Sequence, residues 1–169
     1  QSQYDYAFPL LQSRGMVGSF YVVSDDIRDF SQNDAFLSIA ELQNLQNSGN
    51  EICSHSKTHR SFFSLTDEEI RDECSVSKQV LQYYGLTVNN FAYPYGGTND
   101  HIDSIVSQYY RSGRKAYNWQ IPQPIQFSLA GISGATGDSE VLVRLKNIVD
   151  QVYSTHGWAV VFFHSIVPD

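Results

Sequence analysis

The sequence predicts an α/β domain built around a parallel sheet that is buried on both faces. Short apolar segments alternate with amphipathic segments of helical length, which is the order of elements in such folds. The chain has 169 residues, of which 41% are hydrophobic, and this is enough for one sizeable core. We therefore expect a single domain over residues 1–169, with a sheet that is either open or rolled into a barrel.

Each element follows from a local signal. Residues 4–13 are expected to form a helix, because Tyr6, Leu10 and Leu11 fall at helical spacing and Gly15 follows them. Thr66 is the predicted N-cap of a helix that runs to residue 84, since a glutamate follows it three residues later. The other predicted helices cover residues 39–48, 100–110 and 139–155, and the predicted strands cover residues 18–23, 50–54, 90–93, 127–130 and 158–163.

Composition limits the partners of the chain. The net charge of -7 and the pI of about 5.1 argue against a nucleic-acid partner, because phosphate binding needs clustered basic residues. No apolar run is long enough to span a membrane. Cys53 and Cys74 are too few for a disulfide scaffold and form either two buried thiols or one internal disulfide.

Polar motifs follow three of the predicted strands. His55 and His59 follow the strand at 50–54, a Pro-Tyr-Gly turn follows the strand at 90–93, and His164 follows the last strand. The carboxyl ends of parallel strands lie on one rim, so we expect these residues to converge. Two histidines four residues apart can bind one divalent metal if the turn after the strand is coiled like a helix, because both side chains then share a face. A third ligand, normally a carboxylate, is also needed.

Four segments together resemble the polysaccharide deacetylases, which are the NodB-homology domains of carbohydrate esterase family 4. They are GSFYVV at 18–23, EICSHSKTH at 51–59, FAYPYG at 91–96 and VVFFH at 160–164. The resemblance implies a distorted (β/α) barrel. It also implies a hydrolase that removes N-acetyl or O-acetyl groups from a polysaccharide or oligosaccharide, outside the cell or at the cell envelope.

The resemblance assigns roles to individual residues. His55 and His59 would bind a divalent metal, most often zinc, with cobalt or nickel tolerated; the metal would polarise the acetyl carbonyl and lower the pKa of an attacking water. His164 would be the general acid and the backbone N–H of Tyr95 the oxyanion donor. The expected substrate-binding residues are Tyr93, Pro94, Phe162 and Trp119, of which Phe162 would line the acetate pocket and Trp119 is either a pocket residue or a packing residue.

The resemblance also implies upstream sequence. The family's first motif, Thr-Phe-Asp-Asp-Gly, supplies the catalytic base and an aspartate metal ligand and forms the first strand. This motif falls just before Tyr4 in the family pattern, whereas the sequence begins at Gln1. We therefore expect the motif to precede Gln1, with a loop substitution by Asp25 or Asp26 as the alternative. If the motif has been lost, the expected function is that of a catalytically disabled carbohydrate-binding or structural domain.

A second departure from the family pattern lies in the third motif. Ala92 occupies the place where many members carry an arginine that tunes the catalytic aspartate. Arg111 or Arg114 could supply this guanidinium from another strand end. The equal alternative is that both arginines belong to a solvated helix terminus, where cations are favoured.

Overall fold

The centre of the fold is a parallel sheet in which strand order follows chain order. The computed structural model describes residues 1–116, 129–133, 139–156, 159–164 and 166. The strands are β1 Ser19–Val22, β2 Glu51–Ser54, β3 Val88–Ala92, β4 Ser112–Ala116, β5 Leu129–Ser133 and β6 Val160–Phe162. All described pairings are parallel, which confirms the predicted α/β class.

One described helix precedes β1, and the others lie between strands in the chain. Their bounds are α1 Phe8–Ser13, α2 Arg28–Ser31, α3 Ile39–Asn47, α4 Asp67–Tyr83, α5 Asp100–Val106 and α6 Ser139–Thr155. Helices α3 and α4 both begin with a capping box, in which Ser38 or Thr66 exchanges hydrogen bonds with a glutamate three residues later. None of the described helices combines the length and the apolar composition needed to cross a membrane.

The core lies between the outer face of the sheet and the helices packed on it. The ring of Phe91 is fully buried and stacks on Tyr110, with 4.9 Å between ring centroids. Phe62 and Tyr93 pack edge-on or tilted around the same ring, at 5.7 and 5.3 Å. Each such aromatic side chain contributes roughly 1.5–3 kcal/mol by leaving water, so this cluster fixes β3 against its helices.

The inner face of the sheet carries a row of polar side chains and borders a cavity of about 1080 Å³. Ser19 and Asn90 each donate a hydrogen bond to the Glu51 carboxylate, at 2.7 and 2.5 Å, and the Ser112 hydroxyl donates to the Asn90 side chain at 2.7 Å. These contacts join four neighbouring strands. Residues of both β1 and β6 line the cavity, so the sheet curves around it, while no pairing joins β1 to β6 in the described part of the chain.

The structure differs from the prediction in the N-terminal helix and in one strand. Residues 4–13 are helical, but Gln3–Ala7 forms a wide π-helical turn before α1. The wider turn changes which side chains face the core: Phe8 is buried, whereas Tyr6 and Leu10 are 47% and 55% exposed. The second difference is β4, which the sequence did not predict, because its residues Ser-Gly-Arg-Lys-Ala show no apolar alternation.

The two cysteines are buried free thiols, as one of the two alternatives predicts. Cys53 lies on β2 and Cys74 on α4. Burial raises the pKa of both thiols, so both remain protonated at neutral pH.

We expect Gly113→Ala to lower the free energy of unfolding by about 1–3 kcal/mol, the usual effect of overpacking. A methyl group at Gly113 would lie 2.6 Å from a ring carbon of Tyr93, which is 2% exposed and has no room to move. Gly97→Ala is the matched control, because its methyl meets the ring of Phe63, which is 61% exposed and can turn away. Urea unfolding of both variants measures the difference, and equal losses would contradict the prediction.

Candidate functional site

The loop that carries the two histidines, residues 55–59 (the histidine loop), is held by the carboxylate of Glu73 on α4. This side chain is 1% exposed. It accepts backbone hydrogen bonds from Lys57 and Thr58 at 2.9 and 2.8 Å, together with the Thr58 hydroxyl. Burial raises the pKa of Glu73, but these hydrogen bonds outweigh burial and lower it overall. The carboxylate therefore stays ionised and fixes the loop.

The end of β1 supports the same loop from its other side. The backbone N–H of His55 donates to the carbonyl of Val22 at 2.7 Å, and that of Ser24 donates to Ser56 at 3.2 Å. Ser56 and His59 both adopt left-handed backbone angles, with φ of 71° and 61°. Such angles are unfavourable for residues other than glycine, so the surrounding hydrogen bonds must hold the loop in this shape.

The two imidazoles converge. The Nδ1 atom of His55 lies 2.7 Å from the carbonyl oxygen of Ala92, and its Nε2 atom lies 3.1 Å from Nε2 of His59. Burial lowers the pKa of His55 to about 4. The ring is therefore neutral at pH 7, and a proton on Nδ1 leaves the lone pair of Nε2 free.

This arrangement fits a shared divalent metal. Two nitrogens bound to one tetrahedral zinc at the usual bond length lie about 3.3 Å apart, close to the observed 3.1 Å. The Ala92 carbonyl supplies the second hydrogen bond that metal-binding histidines usually make. His55 and His59 can therefore provide two ligands to a metal ion.

A third ligand is not found among the described residues. Within these, no group of three or more His, Cys, Asp or Glu side chains could hold a metal ion. Asp26 lines the cavity together with the histidines, and Asp25 is exposed and hydrogen-bonds through its backbone to Lys57. The structure therefore does not support the predicted loop substitution by Asp25 or Asp26.

The turn after β3 lies beside the histidines. The ring of Tyr95 packs edge-on against His59, with 4.8 Å between centroids. Tyr95 is 68% exposed and has a left-handed φ of 58°, which turns the chain sharply at the rim. Its neighbours Tyr93 and Pro94 are buried, and Tyr93 packs on Phe91 in the outer core. Neither of them lines the cavity, and their substrate-binding role stays a prediction.

The end of β6 completes the rim. Phe162 and His164 line the same cavity as His55 and His59, and their two rings are 5.5 Å apart. His164 is exposed, and its backbone carbonyl accepts a hydrogen bond from the side chain of Gln3. Four of the predicted site residues, namely His55, His59, Phe162 and His164, therefore surround one cavity. Trp119 lies outside the described residues.

The two candidate arginines occupy different places. Arg111 precedes β4, is exposed, and donates its backbone N–H to Asn89 at 2.7 Å, so it lies at the opposite end of the strand from the rim. Arg114 lies within β4, directly beside Ala92 in the register of the sheet, and lines the cavity. Its guanidinium contacts the rings of Tyr21 and Phe162.

Sequence reasoning missed Glu73. The signal was present, because Glu73 falls three residues after Ile70 and four before Ser77 on the buried face of α4. A carboxylate on the apolar face of a helix needs buried donors. The loop that supplies those donors could not be identified from the helix alone.

A parallel sheet with polar residues gathered at one rim is typical of α/β enzyme folds. Comparison with known proteins gives the family. The polysaccharide deacetylase family model matches residues 1–111. The chain belongs to the polysaccharide deacetylase family.

One curated relative is chitin deacetylase 1 of Cryptococcus neoformans var. grubii, which is 32% identical over 100 residues. The match covers 58% of this chain and 19% of that protein, so the chain spans about a fifth of the length of this relative.

Solved structures share the fold. The Streptococcus pyogenes deacetylase PplD in complex with acetate has a TM-score of 0.63 and 20% identity, over 68% of this chain and 50% of that one. The family 4 carbohydrate esterase from Streptomyces lividans in complex with acetate has a TM-score of 0.64 and 17% identity, over 98% and 73%. A CE4 family pseudoenzyme from Bacillus anthracis has a TM-score of 0.63 and 16% identity, over 96% and 50%.

We expect Glu73→Gln to lower the free energy of unfolding by about 2–3 kcal/mol, because buried hydrogen bonds to a charged group are lost. Asp72→Asn is the matched control: this neighbouring carboxylate is 54% exposed and pairs with the Lys57 ammonium at 3.1 Å. Denaturant unfolding should show little change for the control. A loss as large in Asp72→Asn as in Glu73→Gln would refute the anchoring role.

The contribution of Glu73 should also depend on pH. Its pKa is lowered in the folded protein, so the stabilisation is complete above the unfolded value of about 4.3 and is lost as the pH falls through the folded value. The stability difference between the wild type and Glu73→Gln should therefore be constant above about pH 5 and shrink in more acidic solution. Unfolding curves from pH 7 to pH 3 test this, and a difference that grows on acidification contradicts it.

Proposed function

We propose that this protein is a metal-dependent hydrolase that removes N-acetyl or O-acetyl groups from a polysaccharide or oligosaccharide. The observation that carries the proposal is the histidine pair, whose Nε2 atoms lie 3.1 Å apart while Nδ1 of His55 is tied to Ala92. A neutral, oriented pair of this kind is suited to a metal. Membership of the family gives the reaction class.

His55 and His59 would hold the metal, for which zinc is the first choice and cobalt or nickel the alternatives. When bound, a divalent cation supplies polarisation of a carbonyl and acidification of water. The proposal requires a third ligand beyond the described residues.

Three other residues act on the substrate in this proposal. His164, exposed at the cavity rim, donates a proton to the leaving amine as general acid. The backbone N–H of Tyr95, at the left-handed turn beside His59, donates a hydrogen bond to the developing oxyanion. Phe162 forms an apolar wall against which an acetyl methyl group can pack.

An N-acetylated carbohydrate is the substrate class that we propose. The net charge of -7 suits an uncharged ligand better than a polyanion. The name of the fungal relative, a chitin deacetylase, supports an N-acetylated sugar polymer. Such polymers lie outside the cell or in its envelope, which is where we propose that the protein acts.

A second candidate is a catalytically disabled carbohydrate-binding domain of the same fold. One observation favours it: the histidine pair has no third metal-binding side chain within the described residues. A structural neighbour is itself a pseudoenzyme. The two candidates differ in turnover and not in sugar binding.

Acetate release from N-acetylated chitooligosaccharides and from acetylated peptidoglycan distinguishes the candidates. Activity that a chelator removes and zinc or cobalt restores supports the hydrolase. Saturable sugar binding without acetate release, at any metal concentration, supports the disabled domain.

We expect His55→Ala to lower bound metal, whereas His164→Ala should keep the metal and slow turnover by about 10²- to 10⁴-fold, the scale of general acid catalysis. His101→Ala is the control, because this histidine is 64% exposed and pairs with Asp67 on the protein surface. Metal content by mass spectrometry and initial rates measure both effects. Equal metal loss in His55→Ala and His164→Ala would contradict the separate roles.

A further inference from the structure

Two aromatic rings are exposed on the rim beside the histidine pair. Phe63 and Tyr95 are 61% and 68% exposed, whereas the neighbouring aromatic residues of the same two segments, Phe62 and Tyr93, are each 2% exposed and lie in the core. A single exposed aromatic side chain is ordinary on a protein surface. Two that adjoin a candidate site form an apolar surface that a ligand can reach, and such surfaces mark binding sites.

The two rings belong to one continuous stretch of the rim. The ring of Tyr95 packs edge-on against His59, with 4.8 Å between centroids. The ring of Phe63 lies against the backbone of Gly97, where its Cε2 atom is 2.5 Å from the place that a Cβ atom would occupy. Gly97 follows Tyr95 by two residues, so their Cα atoms lie within about 7 Å of each other. The aromatic surface therefore begins at the histidine pair and continues over the turn after β3.

Local structure holds both rings in place. Phe63 lies in the short 3₁₀ turn Phe62–Ser64, whose other phenylalanine is anchored in the core. Tyr95 lies in a turn that is closed by a hydrogen bond of 2.8 Å from the backbone N–H of Gly96 to the carbonyl of Tyr93. A surface that is ordered before binding loses little conformational entropy when a ligand packs on it.

The position of the two rings selects a ligand that is longer than the cavity. Neither Phe63 nor Tyr95 lines the cavity that contains the histidines, so a ligand confined to the cavity would leave both rings uncovered. A chain of sugar units extends further, and the unit next to the one in the cavity would lie over the rim. A sugar ring with equatorial substituents presents a flat face of C–H groups, which is complementary to a large, rigid and apolar aromatic ring.

We propose that Phe63 and Tyr95 form a subsite that binds one sugar unit by stacking, next to the unit that carries the reacting acetyl group. Phe63 provides the main contact, and Tyr95 joins this subsite to the histidine pair. The identity of the ligand, an oligosaccharide of N-acetylated sugar units, rests on the proposed function. The subsite requires that a chain of such units bind more tightly than a single one.

The test compares the affinities for N-acetylglucosamine and for its β-linked tetramer, measured by calorimetry in a chelator so that neither metal binding nor turnover contributes. Phe63→Leu keeps an apolar side chain but loses the flat ring. We expect it to weaken tetramer binding by about 5- to 20-fold, the effect of losing one aromatic anchor, and to leave binding of the single sugar unchanged. Phe63→Tyr keeps the ring and should bind the tetramer as the wild type does.

Tyr83→Leu is the matched control, because Tyr83 is 82% exposed and lies just before the start of β3, at the opposite edge of the sheet from the rim. Equal tetramer affinity in Phe63→Leu and Tyr83→Leu overturns the proposal. So does a wild type that binds the tetramer no more tightly than the single sugar, or that binds neither. Urea unfolding checks that each variant is folded.

Acetate release by the metal-loaded protein tests the proposed function separately. Release from the tetramer, combined with tetramer affinity that Phe63→Leu leaves unchanged, refutes the subsite alone. Tetramer binding that depends on the ring of Phe63, without release at any metal concentration, supports the subsite and refutes the hydrolase alone.

Discussion

The carboxylate of Glu73 is the contact on which the candidate site depends. It reaches from the buried face of α4 to the backbone N–H groups of Lys57 and Thr58, which would otherwise be unsatisfied beneath the rim. The histidine loop contains two left-handed residues, Ser56 and His59, and a free loop would relax from these angles. The 3.1 Å separation of the two imidazoles therefore depends on a side chain of α4 as well as on the backbone hydrogen bonds from the end of β1.

One face of the sheet packs in the core, and the other borders the candidate site. Because side chains alternate between the two faces along a strand, packing on one face fixes the positions of side chains on the other. Phe91 and Gly113 face the aromatic core, while their neighbours Ala92 and Arg114 lie beside each other in the register. Gly113 has no side chain where Tyr93 packs. The close approach of the Tyr93 ring to the Gly113 backbone fixes the register between β3 and β4. A slip of one residue would turn Arg114 out of the cavity, so core packing on one face positions the charge on the other.

The sequence predicted best those elements whose signal is local. The capping box at Thr66 and the helical periodicity that follows located α4, and the apolar runs located β1 and β2. The prediction failed for features that depend on tertiary contacts. Strand β4 forms because β3 and β5 provide backbone hydrogen-bonding partners on its two sides, and not because its own residues favour strands. Likewise, the histidines were visible in the sequence, but the role of Glu73 depends on a loop that packs against it from 15 residues away.

The cavity is lined by charges of both signs, the guanidinium of Arg114 and the carboxylates of Asp26 and Glu51. Its histidines are adjacent to the Arg114 charge, while Tyr21 and Cys53 are held neutral by burial. A divalent cation at the histidine pair would be repelled by the guanidinium, because charges interact strongly in a buried site. A carboxylate between them would remove this repulsion.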